Sequence, residues 1–128
     1  MNYHISVIQT AKYCYVNAMT GADERIGKLC IDLDSEDANR YKKALGGKVA
    51  KVILVSTAES AVGKGVATAL MKKAIEVLSD YNLYLNVIPL KRNERDKDKQ
   101  GLIDFYSKFG FEKYEGDISV TTMIRKAD

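Results

Sequence analysis

Apolar and polar residues change their period several times along this chain. Between Tyr3 and Gln9 the apolar positions Ile5, Val7 and Ile8 alternate loosely with polar ones, and Tyr13–Met19 and Arg25–Leu33 repeat the pattern, which predicts three strands. Thr20-Gly21-Ala22-Asp23-Glu24 is turn chemistry, so the second and third strands are expected as a hairpin. Gly27 inside the third run predicts a bulge or a close backbone approach. Asp34 to Gly47 then follows a helical period. Ala38, Tyr41 and Leu45 share a face, Ser35 stands where a cap belongs, Glu36 and Asp37 suit the positive end, and Gly46-Gly47 can end the helix. Val49, Val52, Ile53, Leu54 and Val55 form a nearly continuous apolar run, as in a strand covered on both faces. Ala67, Leu70, Ala74, Val77 and Leu78 return to the helical period. A fifth strand is expected over Asn82–Ile88, stopped by Pro89. Leu102, Phe105, Tyr106 and Phe109 line one helical face with Gly110 at its exit, and Ile118, Val120, Thr122 and Ile124 alternate through a closing strand that ends at Arg125. Lys91 to Lys99 alternates in charge without an apolar residue and reads as a solvated loop.

Composition narrows the function. A chain of 128 residues, 46% hydrophobic and 29% charged, fits one globular domain spanning 1–128. A net charge of +3 is far from the dense basic face of a nucleic-acid binder, so no nucleic-acid partner is expected. Cys14 and Cys30 lack metal-ligand spacing, His4 is the lone histidine, and no metal site is expected. No leader-like N-terminus and no membrane-length apolar run is present, so a cytoplasmic location is expected, with no membrane partner.

The candidate chemistry lies between the central strand and its helix. Gly63 and Gly65 remove two Cβ atoms where the helix begins. Helix N-termini carry unpaired N–H groups and the positive end of the dipole, so an anion, phosphate above all, can rest on the bare backbone. A nucleotide-hydrolase loop would require a Ser or Thr after Gly63-Lys64, where Gly65 stands. A dinucleotide fingerprint would require a third glycine, where Thr68 stands. A turn that uses glycine only for close packing also fits.

Gly63-Lys64-Gly65-Val66-Ala67-Thr68-Ala69-Leu70 resembles the Gly-Lys-Gly-Ile-Gly-x-x-Leu core of the GNAT acetyltransferase superfamily. Phe105, Tyr106, Lys108, Gly110 and Phe111 are similar to that family's Phe-Tyr-x-Lys-x-Gly-Phe segment. Two departures stand out. Where the family has Gln or Arg ahead of its glycines, this chain has Val62 or Ser60, and Thr10-Ala11-Lys12 leaves no room for the two helices that normally follow the first strand. In the family those helices wall the acceptor site, and the Ser35–Leu45 helix could replace them or be a surface excursion.

The resemblance implies an α/β (α+β) fold: a mixed, mostly antiparallel twisted sheet of six to seven strands with helices on both faces. It implies acetyl-coenzyme A as cofactor, lying where the fourth and fifth strands splay apart. Backbone groups near Leu54 and Val55 would pair with pantetheine, and those of Val62, Gly63, Lys64, Gly65, Val66, Ala67 and Thr68 would take the pyrophosphate. Tyr106 would be the general acid. Glu59, Asp32 and Asp34 are candidate bases, with a water chain as the alternative, and the Lys91–Lys99 loop could meet the ribose phosphate or an acidic acceptor. The expected partner is an amine-bearing acceptor, a small molecule or a protein lysine or N-terminus, and a homodimer could complete its pocket. The alternative function is a non-catalytic GNAT-fold binding module acting through protein contacts.

Overall fold

A computed structural model describes residues 2–89, 97–117 and 119–128. They form strands β1 (His4–Gln9), β2 (Tyr13–Met19), β3 (Arg25–Asp32), β4 (Lys48–Thr57), β5 (Tyr81–Asn86), β6 (Glu112–Lys113) and β7 (Thr122–Arg125), with helices α1 (Ala38–Leu45), α2 (Val66–Val77) and α3 (Lys99–Ser107). One sheet holds all seven strands in the order β1-β2-β3-β4-β5-β7-β6, and only β4–β5 is a parallel pair. The expected fold class, the β2–β3 hairpin and the short β1–β2 connection are all present.

Alternation sends each strand's side chains to two different covers. Val16, Leu29, Ala50, Leu83, Leu85 and Met123 point to one face, where they meet Leu70, Met71 and Ala74 of α2 and Ile103 and Phe105 of α3. Val49, Tyr84 and Ile124 point to the other, where Ala38 and Tyr41 of α1 cover them. The rings of Tyr41 and Tyr84 stack with centroids 4.2 Å apart.

Gly27 combines both features predicted for it. Ala18 pairs with Gly27 but Met19 pairs with Arg25, so Ile26 is the extra residue of a bulge. A Cβ on Gly27 would also lie 2.7 Å from Val66 Cγ1 and 3.1 Å from Leu70 Cδ1, so the missing side chain is what lets the start of α2 rest on β3. Gly27→Ala is therefore expected to cost about 1–3 kcal/mol, the usual range for overpacking a core. Urea unfolding would show this as a lower midpoint with an unchanged slope.

Helix α1 begins at Ala38, three residues after the Ser35 start expected from its sequence. Asp37 occupies the cap position but its side chain caps nothing. Its carboxylate instead accepts hydrogen bonds from Ser35 Oγ, Tyr84 Oη and Lys51 Nζ, tying the helix entrance to β4 and β5. Burial opposes ionisation of Asp37, but the hydrogen bonds from Ser35, Tyr84 and Lys51 prevail and hold its pKa at about 2 against an ordinary 3.8. A depressed carboxylate pKa stabilises the fold above the unfolded value and loses that effect as pH falls through the folded one. Asp37→Asn should thus lower the melting temperature above about pH 4, and the gap to the native chain should close near pH 2.

Other boundaries also shift. Asp98 accepts from Gly101 N at 2.8 Å and caps α3, so that helix starts at Lys99 and not at Leu102. It ends at Ser107, and Gly110, with φ 90°, turns the chain beyond it. Of the Lys91–Lys99 segment, residues 91–96 lie outside the described residues, as does Ile118 at the start of the expected closing strand. The strand observed there is β7, which begins at Thr122.

Candidate functional site

β4 and β5 pair over only four residues each, Lys48–Lys51 with Tyr81–Tyr84. Beyond them β4 stays on β3 as far as Thr57 and β5 stays on β7 as far as Asn86, so the two strands diverge. A second bulge sharpens the split. Ile31 pairs with Val52 and Cys30 with Leu54, leaving Ile53 without a partner residue on β3. The strand expected to be covered on both faces is well buried only as far as Val52; Ile53 and Leu54 are 47% and 42% exposed. From Val52 onward the β5-side edge of β4 has no strand partner among the described residues.

The opening is a cleft of about 550 Å³. Val52–Thr57 form one wall and Leu85, Asn86 and Ile88 the other. The glycine turn closes one end, and Leu102, Phe105, Tyr106 and Lys108 of α3 and its exit cover the cleft, with Lys97 beside them. Of the residues expected at the site, Leu54, Val55, Val62, Gly63, Gly65, Val66, Ala67, Thr68 and Tyr106 all line it. Lys64 is exposed and does not. Glu59, Asp32 and Asp34 do not line it either, and no carboxylate among the described residues does. His4 is exposed on the sheet-edge strand β1.

In the turn after β4, Val62 N already donates to Glu59 O and Lys64 N to Ala61 O, so the amides left for an anion are those at the start of α2. A single 3-10 turn at Glu59–Ala61 leads into extended Val62, then Gly63 at φ 79° and Gly65 at φ 78°. Both glycines are in the left-handed region, which side-chain-bearing residues avoid. Gly65 is the N-cap of α2 and no side chain caps that helix. The amides of its first turn have no intrahelical acceptor. A Cβ at Gly63 or Gly65 would meet nothing within 4 Å, so the space in front of these amides is open. Both glycines border the cleft beside the free edge of β4.

Tyr106 sits across the cleft on α3, its ring edge-on to Phe105 and Phe111 at 5.3 and 5.9 Å. Burial pushes its hydroxyl pKa up from the ordinary 10.0. It keeps its proton through neutral pH. Asn86 was not expected at the site; it is a polar residue in a mostly apolar strand, with nothing local to single it out. Lys97 belongs to the Lys91–Lys99 segment for which a contact with the ribose phosphate or an acidic acceptor was expected. Among the described residues, no group of His, Cys, Asp or Glu is arranged to hold a metal, and no helix is long and apolar enough to cross a membrane.

No curated protein matches this sequence. Solved structures do resemble the fold. PH1933 from Pyrococcus horikoshii superposes with a TM-score of 0.65 at 22% identity, covering 89% of this chain, which spans 65% of the length of that protein. An acetyltransferase of the GNAT family from Staphylococcus aureus gives 0.61 at 14% identity, over 91% of this chain and 69% of the other. Arabidopsis thaliana NAA60, solved in complex with a bisubstrate analogue, gives 0.64 at 12% identity, over 92% and 77%. The family model described as "Acetyltransferase (GNAT) family" matches residues 3–111, most of the sequence. The chain belongs to the GNAT acetyltransferase family.

Proposed function

We propose that this protein transfers an acetyl group from acetyl-coenzyme A to an amine, directly and without a covalent enzyme intermediate. The observation that carries the reading is the continuity of the cleft: a free strand edge runs into an uncapped helix N-terminus, with a protonated tyrosine on the facing wall. Bound acetyl-coenzyme A supplies the activated acyl group. The amides of Gly65 to Thr68 would hold its pyrophosphate, as a helix N-terminus holds anions, while those of Val62 and Lys64 are taken up within the turn. The open edge at Leu54 and Val55 pairs with pantetheine amides in the manner of an added strand, and an N–H there faces the carbonyl oxygen where negative charge develops.

Tyr106 holds the proton that the departing sulfur needs. With acetyl-coenzyme A and an amine bound, Tyr106 would give its proton to the sulfur as the C–S bond breaks and the N–C bond forms, the amine's surplus proton would leave to water, and water would return a proton to Tyr106. Water fills the role of base because no carboxylate lines the cleft among the described residues.

Calorimetry with acetyl-coenzyme A and with a nucleoside triphosphate, followed by thiol release with a panel of amines, tests the proposal. Acetyl-coenzyme A should bind, the triphosphate should not, and free thiol should appear only when an amine is supplied. Binding without thiol release for any amine would favour the non-catalytic module. An absence of binding would end the acetyl-transfer reading and leave a module that has lost the cofactor.

A further inference from the structure

The sheet has two outer strands, and they are finished differently. β6 is two residues long, and both, Glu112 and Lys113, are charged and exposed. Short length and charge are the usual protection of a sheet edge. β1 has neither. It runs six residues, His4-Ile5-Ser6-Val7-Ile8-Gln9, with no Lys, Arg, Asp, Glu or Pro and no register shift against β2. Ile8 is 56% exposed on it.

The hairpin decides which backbone groups β1 leaves over. Thr10 N donates to Tyr13 O at 2.8 Å, so these two residues form a hydrogen-bonded pair, and antiparallel ladders alternate bonded with non-bonded pairs. Following the register from Gln9–Cys14 to Ile5–Ala18, the bonded pairs are Ile8–Tyr15 and Ser6–Asn17. The N–H and C=O of Ile5, Val7 and Gln9 therefore point away from β2. The far side of β2 agrees. Leu33 N donates to Lys12 O at 2.6 Å, so by the same alternation Cys14, Val16 and Ala18 direct their backbone groups to β3. Among the described residues, no hydrogen bond reaches the outward groups of Ile5, Val7 and Gln9.

We propose that the chain is a homodimer in which β1 pairs antiparallel with β1 of a second copy, about a two-fold axis through Val7. Val7 faces Val7, and Ile5 of each copy faces Gln9 of the other. Each facing pair exchanges two bonds, so every outward N–H of both strands meets a C=O. A slip of one residue would set outward groups against inward ones. A slip of two would leave Ile5 or Gln9 beyond the end of the facing strand. The side chains fit the same register. Ile8 comes to lie opposite Ser6 of the second copy, and the two Ile8 side chains stand diagonal to each other, within reach, on the face where Tyr15 flanks them. No Lys, Arg, Asp or Glu enters the pairing. A two-fold contact closes on itself: once paired, neither copy has β1 free, and short, charged β6 does not extend the sheet, so assembly stops at two. β2, β3 and β4 separate this interface from the cleft, and the proposal stands whether or not the chain transfers acetyl groups.

Sedimentation equilibrium over a dilution series reaching millimolar chain, with Val7→Pro and Ile8→Lys as variants, tests the proposal. The native chain should follow a monomer–dimer equilibrium with no larger species. Val7→Pro removes an N–H that points away from β2, so the β1–β2 ladder keeps its bonds while the central pair of the dimer loses both of its own. Ile8→Lys sets two cations diagonally across the axis and leaves the backbone untouched. Each should weaken the dimer by about tenfold or more. In hydrogen exchange read by NMR, the amides of Ile5, Val7 and Gln9 should be protected at high concentration and released on dilution, while those of Ser6 and Ile8 stay protected throughout. A chain still monomeric at millimolar concentration, assemblies that grow past two, a dimer that Ile8→Lys leaves intact, or a Val7 amide that exchanges freely in the dimer would each overturn the proposal. Should Val7→Pro fail to fold, Ile8→Lys and exchange in the native chain decide the matter alone.

Discussion

Tyr106→Phe is expected to slow turnover by roughly a hundred- to ten-thousand-fold, the usual worth of a positioned general acid. Acetyl-coenzyme A affinity and melting temperature should barely change. The ring is what packs against Phe105 and Phe111, and phenylalanine keeps it. Only the hydroxyl is lost, and among the described residues it forms no hydrogen bond that the variant would break. The raised pKa adds a second signature. A buried phenol stays protonated beyond its ordinary value of 10.0, so the native rate should not fall for want of this proton anywhere in the neutral range. Single-turnover thiol release would measure the chemical step directly. An unchanged rate there would make Tyr106 a packing residue and leave the sulfur to take its proton from water.

Gly65→Val should weaken coenzyme A binding by about tenfold or more, roughly 1.4 kcal/mol at the least. Two effects have to be separated. The left-handed backbone at φ 78° costs a residue bearing Cβ about 1–2 kcal/mol. The added side chain also occupies the open space in front of the α2 amides, where the pyrophosphate is proposed to lie. Gly46 supplies the control. It has φ 71°, nothing within 4 Å of its Cβ, and a place at the far end of α1. At φ 71° and ψ 175° Gly46 lies in a region still less open to a residue bearing Cβ, so Gly46→Val should carry at least as large a backbone cost and leave coenzyme A affinity intact. Pantetheine, which lacks the pyrophosphate, should bind native and Gly65→Val chains alike. Equal losses of coenzyme A affinity in both valine variants would show that stability, and not the anion seat, had been measured.

The parts of this molecule that were readable in advance are those whose cause is local. Val49 to Val55 had to be a strand from its branched apolar run, and Ala67 to Val77 a helix from its period. Two glycines between them announced a bare backbone, and Thr10–Lys12 was visibly too short for intervening helices. What escaped depends on partners distant in sequence. The bulge at Ile53 exists only relative to Cys30 and Ile31 on the neighbouring strand. The late start of α1 follows from Tyr84, 47 positions away, engaging Asp37. Asn86 and Thr122 are 36 apart, and neither carries a pattern that points to the other. Lys64 is exposed, since a motif fixes backbone while a long cationic side chain follows solvent. Asp98 was the one missed cue that lay in plain view, an acidic residue just ahead of a helical period.

A bare β-edge ordinarily invites other molecules to polymerise on it. Where β4 and β5 part company, two such edges lie open among the described residues, yet they confront one another across a wedge. A foreign sheet cannot reach either of them; only something a single strand wide can slide between. The same geometry that leaves the hydrogen-bonding groups vacant also acts as a sieve, and the chain can carry this exposed ladder without becoming sticky.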